Sequence, residues 1–166
     1  MDTNYSEEDE IDQLINKSAE IRLTNVKAAI DLASDALERS KKINYKPGFA
    51  AAMLKIGHYK MMLSNFDKAI ELSTEALKCF DEINLPQGNA DSYYIIGNTY
   101  LKMGKLEDGL ENLLNSLEIY KDLDLEQGEA RAHNSIGYVY KSFNELENAT
   151  KSYNRNLEIS EKPLLP

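Results

Sequence analysis

The amino-acid sequence predicts an all-α fold, a solenoid of antiparallel helix hairpins with about eight helices in four units. Three observations carry that expectation. The chain repeats itself every 40 residues. Apolar residues recur at helical spacing in both halves of each unit. Helix-stop residues fall at every joint.

The repeat is seen in columns. Gly48, Gly88 and Gly128 are 40 apart, as are Gly57, Gly97 and Gly137, then Ile56, Ile96 and Ile136, then Leu77, Leu117 and Leu157. Phe66, Leu106 and Leu146 form a further column. Residues 88–126 and 128–166 are identical at eleven positions. The expected organisation is a flexible acidic start (1–6), an atypical first hairpin (7–44), three clear units (45–84, 85–124 and 125–162) and a tail (163–166).

The first hairpin is the faintest. Its opening helix is expected over 7–22, on Ile11, Leu14, Ile15 and Ala19, and its second over 26–43, on Ala29, Ile30, Ala36 and Leu37. Lys17 stands where later units have a central glycine, as suits a terminal repeat with one face in water. In each later unit the first helix runs from the leading glycine to a break at Ser64-Asn65, Gly104-Lys105 or Asn144-Glu145. The second helix follows with apolar residues such as Leu106, Leu110, Leu113 and Leu117. Asn44, Asn84 and Asp124 punctuate the unit joints. Helices of about 16 residues joined by such short turns run antiparallel. Gly57, Gly97 and Gly137 lie inside helices, where each costs roughly 1 kcal/mol relative to alanine. Their recurrence in one column implies close approach of the hairpin partner, answered by the small column Ala69, Gly109 and Ala149.

These columns resemble the tetratricopeptide repeat: Tyr93, Ile96-Gly97, Tyr100, Gly109, Leu113 and Ser116, with Ile136-Gly137, Tyr140, Ala149 and Tyr153 in the next unit. Lys60 and His133 depart from the pattern, and no proline closes the repeats. The forty-residue period is similar to the subclass that includes Leu-Gly-Asn repeat G-protein signalling modulators and bacterial signalling proteins. The resemblance implies a right-handed superhelix whose first helices line a concave groove for a protein or peptide partner. Carried over to this chain, the groove residues are Leu54, His58, Met61 and Met62, then Asp91, Tyr94, Asn98 and Leu101, then Arg131, Asn134, Tyr138 and Lys141. The carboxylate-clamp subtype is argued against, because its positions hold Leu54, His58, Ile95, Arg131 and Ser135, with one cation among them. The alternative function is an N-terminal sensory or regulatory segment of a histidine kinase, nucleotide cyclase or response-regulator phosphatase.

Composition narrows the partners. The net charge is −9, and six acids without a base fall in the first 16 residues, leaving 22 acids against 19 bases. No basic stripe is visible, which argues against nucleic acid. No run approaches the roughly 18 apolar residues of a membrane span, and no signal-peptide stretch opens the chain. With the lone Cys79, these features point to a cytoplasmic protein.

No catalytic, metal or cofactor set is expected. His58 and His133 stand in different units, and neither has a ligand at metal spacing. No phosphate-binding or dinucleotide glycine motif occurs. Cys79 reads as a buried, inert thiol beside Phe80, while Tyr100 and Tyr140 read as core. The chain stops two residues before the next expected glycine, and Leu165 falls in the column of Leu85 and Leu125. Two expectations follow: a fragment of a longer protein, or a stack that self-associates through its uncapped C-terminal helix face.

Overall fold

Apolar residues at helical spacing, closed by helix-stop residues, produce helices of 15 or 17 residues in the described part of the chain. The computed structural model describes residues 6–161, and among them it contains eight helices and no strand. These are α1 (Glu7–Ile21), α2 (Val26–Lys42), α3 (Lys46–Met62), α4 (Phe66–Glu82), α5 (Pro86–Lys102), α6 (Leu106–Asp122), α7 (Glu126–Ser142) and α8 (Leu146–Ser160). Most of the acidic start and the whole tail, with Leu165, lie outside the described residues.

The helix ends show a regularity finer than the forty-residue period. Asn44, Ser64, Asn84, Gly104, Asp124 and Asn144 all have positive φ, and they are spaced by 20. Each sits just past a helix and donates its N–H back into the last turn, as Asn44 does to the Lys41 carbonyl. The following residue reaches one further carbonyl back, Tyr45 to Ser40 and Lys105 to Tyr100 among them. This double bond pattern is the Schellman cap, and it satisfies carbonyls that a helix end otherwise strands. Both kinds of joint, within and between hairpins, therefore use the same turn. Only the first joint differs: α1 ends on Arg22 in helical conformation, and Asn25 caps α2 by accepting from the Ala28 N–H. At the start of α1, Ser6 and Asp9 form a reciprocal capping box, and the Ser6 hydrogen bonds hold the Asp9 carboxyl below its usual range.

Contacts divide the chain into two units, Met1–Gly88 and Asn89–Pro166. In the first, α1 to α4 pack around Ile11, Ile15, Ala36 and Ala52 and around Ala29, Ala33, Ile56 and Tyr59. Tyr59 is fully buried, and its hydroxyl lies 2.9 Å from that of Ser18, so the buried phenol is satisfied across α1 and α3. In the second unit, Ala90, Leu113, Leu117, Tyr120, Ala132, Ile136 and Val139 form the core, flanked by Tyr94, Leu101 and Tyr140. Tyr100 and Tyr140, expected in the core, are half-buried; the tyrosines that are fully enclosed are Tyr59 and Tyr120.

The three mid-helix glycines face the same position of their hairpin partner. A Cβ on Gly97 would lie 2.9 Å from Leu113 Cγ and 3.0 Å from the Gly109 carbonyl. On Gly57 it would meet Ser73 Oγ at 2.7 Å and the Ala69 carbonyl at 3.3 Å, and on Gly137 the Tyr153 ring from 2.7 Å. In each case the obstacle includes the residue sixteen positions on, in the partner helix of the same hairpin. On α8 the repeat columns turn outward: Leu157 is 52% exposed, whereas its equivalent Leu117 is 8% exposed.

Candidate functional site

The helical register of α7 aligns Arg131, Asn134, Tyr138 and Lys141 along one exposed stripe. Beside it, α5 presents Asp91, Tyr94 and Asn98, all half-buried. The two helices are tied together by a connected set of polar contacts. The Arg131 guanidinium lies 5.1 Å from the Tyr94 ring centroid and 6.0 Å from that of Tyr120. Its Nη2 is 3.6 Å from Asp91 Oδ1, and the same carboxylate oxygen accepts a 2.6 Å hydrogen bond from the Tyr120 hydroxyl. Burial, reinforced by Asp91, pushes the Tyr120 phenol up, so it stays a neutral donor. Further along, Ser135 donates to Asn98 Oδ1 at 3.0 Å, and Asn98 Nδ2 donates to the Tyr94 carbonyl at 2.8 Å.

The consequence is a pre-positioned cation. Arg131 is held over aromatic faces and beside one carboxylate, yet its side chain remains 55% exposed. A guanidinium with fixed orientation loses less entropy when it closes a bidentate pair. Tyr138, 53% exposed, offers a flat apolar face one helical turn beyond Asn134.

The remaining expected groove residues are placed differently. Leu54 and Met61 are buried, at 8% and 7% exposure, and offer a partner almost no surface. Met62 packs with Ala29, Ala33, Ile56 and Tyr59. Leu101 turns toward its hairpin partner, filling the space over Gly109 where a Cβ would otherwise be. His58 is half-buried and stacks against the Tyr59 ring at 5.8 Å. The Asn98 amide spends one N–H and one lone pair inside the protein, and Asn134 is exposed. The periodic pattern identified the helix faces but not which way each long side chain turns within its face.

A second polar cluster escaped the sequence reading. Glu129 is buried, and its Oε1 accepts from Arg155 Nε at 3.0 Å. His133 Nε2 lies 3.6 Å from the same oxygen, too far for a hydrogen bond, and neither ring nitrogen has a partner. Burial depresses the His133 pKa below its ordinary 6.5, with Lys121 and Arg155 acting in the same direction and Glu129 opposing. The unfolded chain therefore takes up the proton first as pH falls. Stability contributed by neutral His133 is fully present above about pH 6.5 and is lost below it, toward the lower folded-state value. Urea unfolding between pH 7 and 5 is expected to show this loss, and His133→Gln is expected to flatten it; an unchanged slope in the variant would assign the loss to other groups.

Cys79 also differs from expectation. It is half-buried and lines a cavity, and its thiol pKa is raised by burial and then by Glu82 and Glu75. The acids Glu71, Glu75, Asp81 and Glu82 are exposed, as their helix face predicts. Among the described residues no helix is long and apolar enough to cross a membrane, and no cluster of metal-ligating side chains gathers.

With this geometry in view, the comparisons are consistent with one another. No curated protein sequence matches the chain. The chain is similar in fold to a Rap protein complexed with Competence and Sporulation Factor (16% identity, TM-score 0.86, covering 93% of this chain and 44% of that one). It is similar to aspartyl phosphate phosphatase F from Bacillus subtilis (14% identity, TM-score 0.83, 95% and 42% covered). It is also similar to BtubC from P. vanneervenii (17% identity, TM-score 0.71, 96% and 76% covered). The chain thus spans less than half the length of either of the first two proteins. At such identities the likeness shows the fold alone. The tetratricopeptide repeat family model matches residues 88–162, which contain the α5–α7 stripe and the Gly97 and Gly137 columns. Residues 88–162 thus match the tetratricopeptide repeat, and the eight helices of the described residues, with a glycine at the same column of each clear unit, are consistent with that family.

Proposed function

We propose that the α5–α7 face binds a peptide or an exposed segment of another protein, with Arg131 and Tyr138 as its anchors. The observation that carries this reading is the Arg131 guanidinium, oriented by Tyr94, Tyr120 and Asp91 and still half open to solvent. The exposed α7 stripe holds two cations, an amide and a phenol, and no acid. In a chain of net charge −9, that contrast favours a partner segment carrying a carboxylate beside an apolar side chain. Partners of this kind lay an extended or helical peptide along a groove and anchor it at a few positions.

A peptide array screened with the protein tests the reading. Bound peptides are expected to be enriched in Asp or Glu next to aliphatic or aromatic residues. Arg131→Ala and Tyr138→Ala are each expected to weaken binding by about tenfold or more, the effect of losing one interface anchor. Peptides that bind equally well to both variants would move the site off this face.

A second reading, a regulatory segment of a signalling protein, draws on the similarity to the Rap protein complexed with Competence and Sporulation Factor. It is compatible with the first, since a regulatory segment of this kind would also act by capturing a peptide or protein.

A further inference from the structure

The first unit contains a cavity that the repeat itself does not require. It measures about 240 Å³ and is lined by Ser40 and Lys41 at the end of α2, Asn44 and Tyr45 in the turn, Lys46 and Phe49 of α3, and Cys79 and Glu82 of α4. Its origin is legible from the columns. Eighty residues later, Tyr120 stands at the position of Ser40 and Ile159 at that of Cys79. Both of those larger side chains are buried, at 1% and 6% exposure. At the position of Phe49 the second unit has Glu129, which Arg155 reaches from α8. In the first unit the Tyr45 ring packs over Gly48 as the Tyr120 ring does over Gly128, so the space left open lies at Cys79, whose thiol stands where the second unit has the larger Ile159.

An open apolar space costs the dispersion contacts that a filling group would make. A ligand that supplies an aromatic ring recovers them against Tyr45, Phe49 and the polarisable Cys79 sulfur. The volume falls below the roughly 300–1,000 Å³ of sites for drug-sized molecules, which suits one ring or two fused rings. The rim sets the charge. Lys41 and Lys46 are exposed, and among the described residues neither has a carboxylate within ion-pair distance. Glu82 stands on the same rim and would repel a second negative charge. The Tyr45 hydroxyl donates to Asp12, at 3.1 Å from Oδ2, so its proton is already engaged and the lysines are left as the partners of a ligand anion.

We propose that this cavity is a binding site for a small aromatic monocarboxylate, with the ring enclosed by Phe49, Tyr45 and Cys79 and the carboxylate facing Lys41 and Lys46. The site is independent of the α5–α7 face, which involves none of these residues.

Cys79 is the sole cysteine, so its alkylation by iodoacetamide reports occupancy directly. The probe is 1-naphthoate, added to the full chain. It is expected to slow alkylation by about fivefold or more at saturation and to raise Tm with concentration, as any ligand selective for the folded state does. Cys79→Ile puts the second unit's residue in place and fills the cavity; the naphthoate-induced Tm shift is expected to require about tenfold more ligand. Lys41→Glu with Lys46→Glu is expected to weaken naphthoate by about tenfold while leaving the neutral analogue 1-naphthalenemethanol within about threefold. Alkylation and Tm both insensitive to naphthoate would overturn the site. An undiminished Tm shift in Cys79→Ile would overturn its location, and equal losses for acid and alcohol in the lysine variant would overturn the assignment of an anion.

Discussion

Replacing Tyr120 by alanine is expected to destabilise the protein by about 3–5 kcal/mol, the range for truncating a large buried aromatic. The ring is 1% exposed and lies in the core of the second unit with Leu113, Leu117 and Ala132. It packs directly over Gly128, whose missing Cβ leaves the space that the ring occupies. Truncation therefore opens a void between α6 and α7 that no neighbour is placed to fill. Tyr120→Phe separates packing from hydrogen bonding. It keeps the ring and removes only the donor to Asp91, a group already in reach of water, so the expected loss is about 1 kcal/mol. Denaturant unfolding followed by circular dichroism measures both. A phenylalanine variant as unstable as the alanine variant would mean that the Asp91 bond, and not the ring, holds this core together.

The same residue joins fold to site, so the pair of variants has a second readout. In Tyr120→Phe the Asp91 carboxylate loses its phenol donor, and Arg131, 3.6 Å away, is left as its side-chain partner. Arg131 is then expected to turn toward Asp91, which makes it a poorer anchor for a partner carboxylate even though the protein stays folded.

How much of this could be read in advance differs between backbone and side chains. The forty-residue period is visible because whole columns repeat one letter, as with Gly57, Gly97 and Gly137. The six joints are marked in the sequence, but their common turn is less plain, because a left-handed backbone takes Asn at 44, 84 and 144 and Ser64, Gly104 and Asp124 between them. Glu129 resembles any surface acid until α8 brings Arg155 to it and α7 turns His133 alongside. The Asp91–Tyr120 bond joins residues 29 apart, each ordinary in its own helix. Met61 and Leu101 sit on α3 and α5, both named for the groove, but long flexible side chains choose the nearest apolar surface, and for Leu101 that surface is the hairpin partner at Gly109. The site is thus legible as a pair of helices and illegible as a set of contacts.

Gly97→Ala gives the sharpest test of why the helices carry glycine. Helix propensity alone predicts a gain of about 1 kcal/mol for alanine in a helix interior. Packing predicts the opposite sign. The new methyl would lie 3.0 Å from the Gly109 carbonyl and 3.2 Å from the Leu113 nitrogen, both backbone atoms of α6 that can yield only by moving the helix. Overpacking of this kind costs about 1–3 kcal/mol, which outweighs the propensity gain. Gly137→Ala supplies the contrast, because the atoms nearest its added methyl all belong to the Tyr153 ring, a half-buried side chain that can swing aside. The expected order of Tm is wild type, then Gly137→Ala, then Gly97→Ala well below both. If alanine at Gly97 were neutral or stabilising, α5 and α6 would not be held at backbone contact, and the column would need a cause other than close approach. Either result bears on the other clear hairpin of this kind, since forty residues earlier the backbone of α4 also faces a glycine, the Ala69 carbonyl lying 3.3 Å from the Cβ position of Gly57.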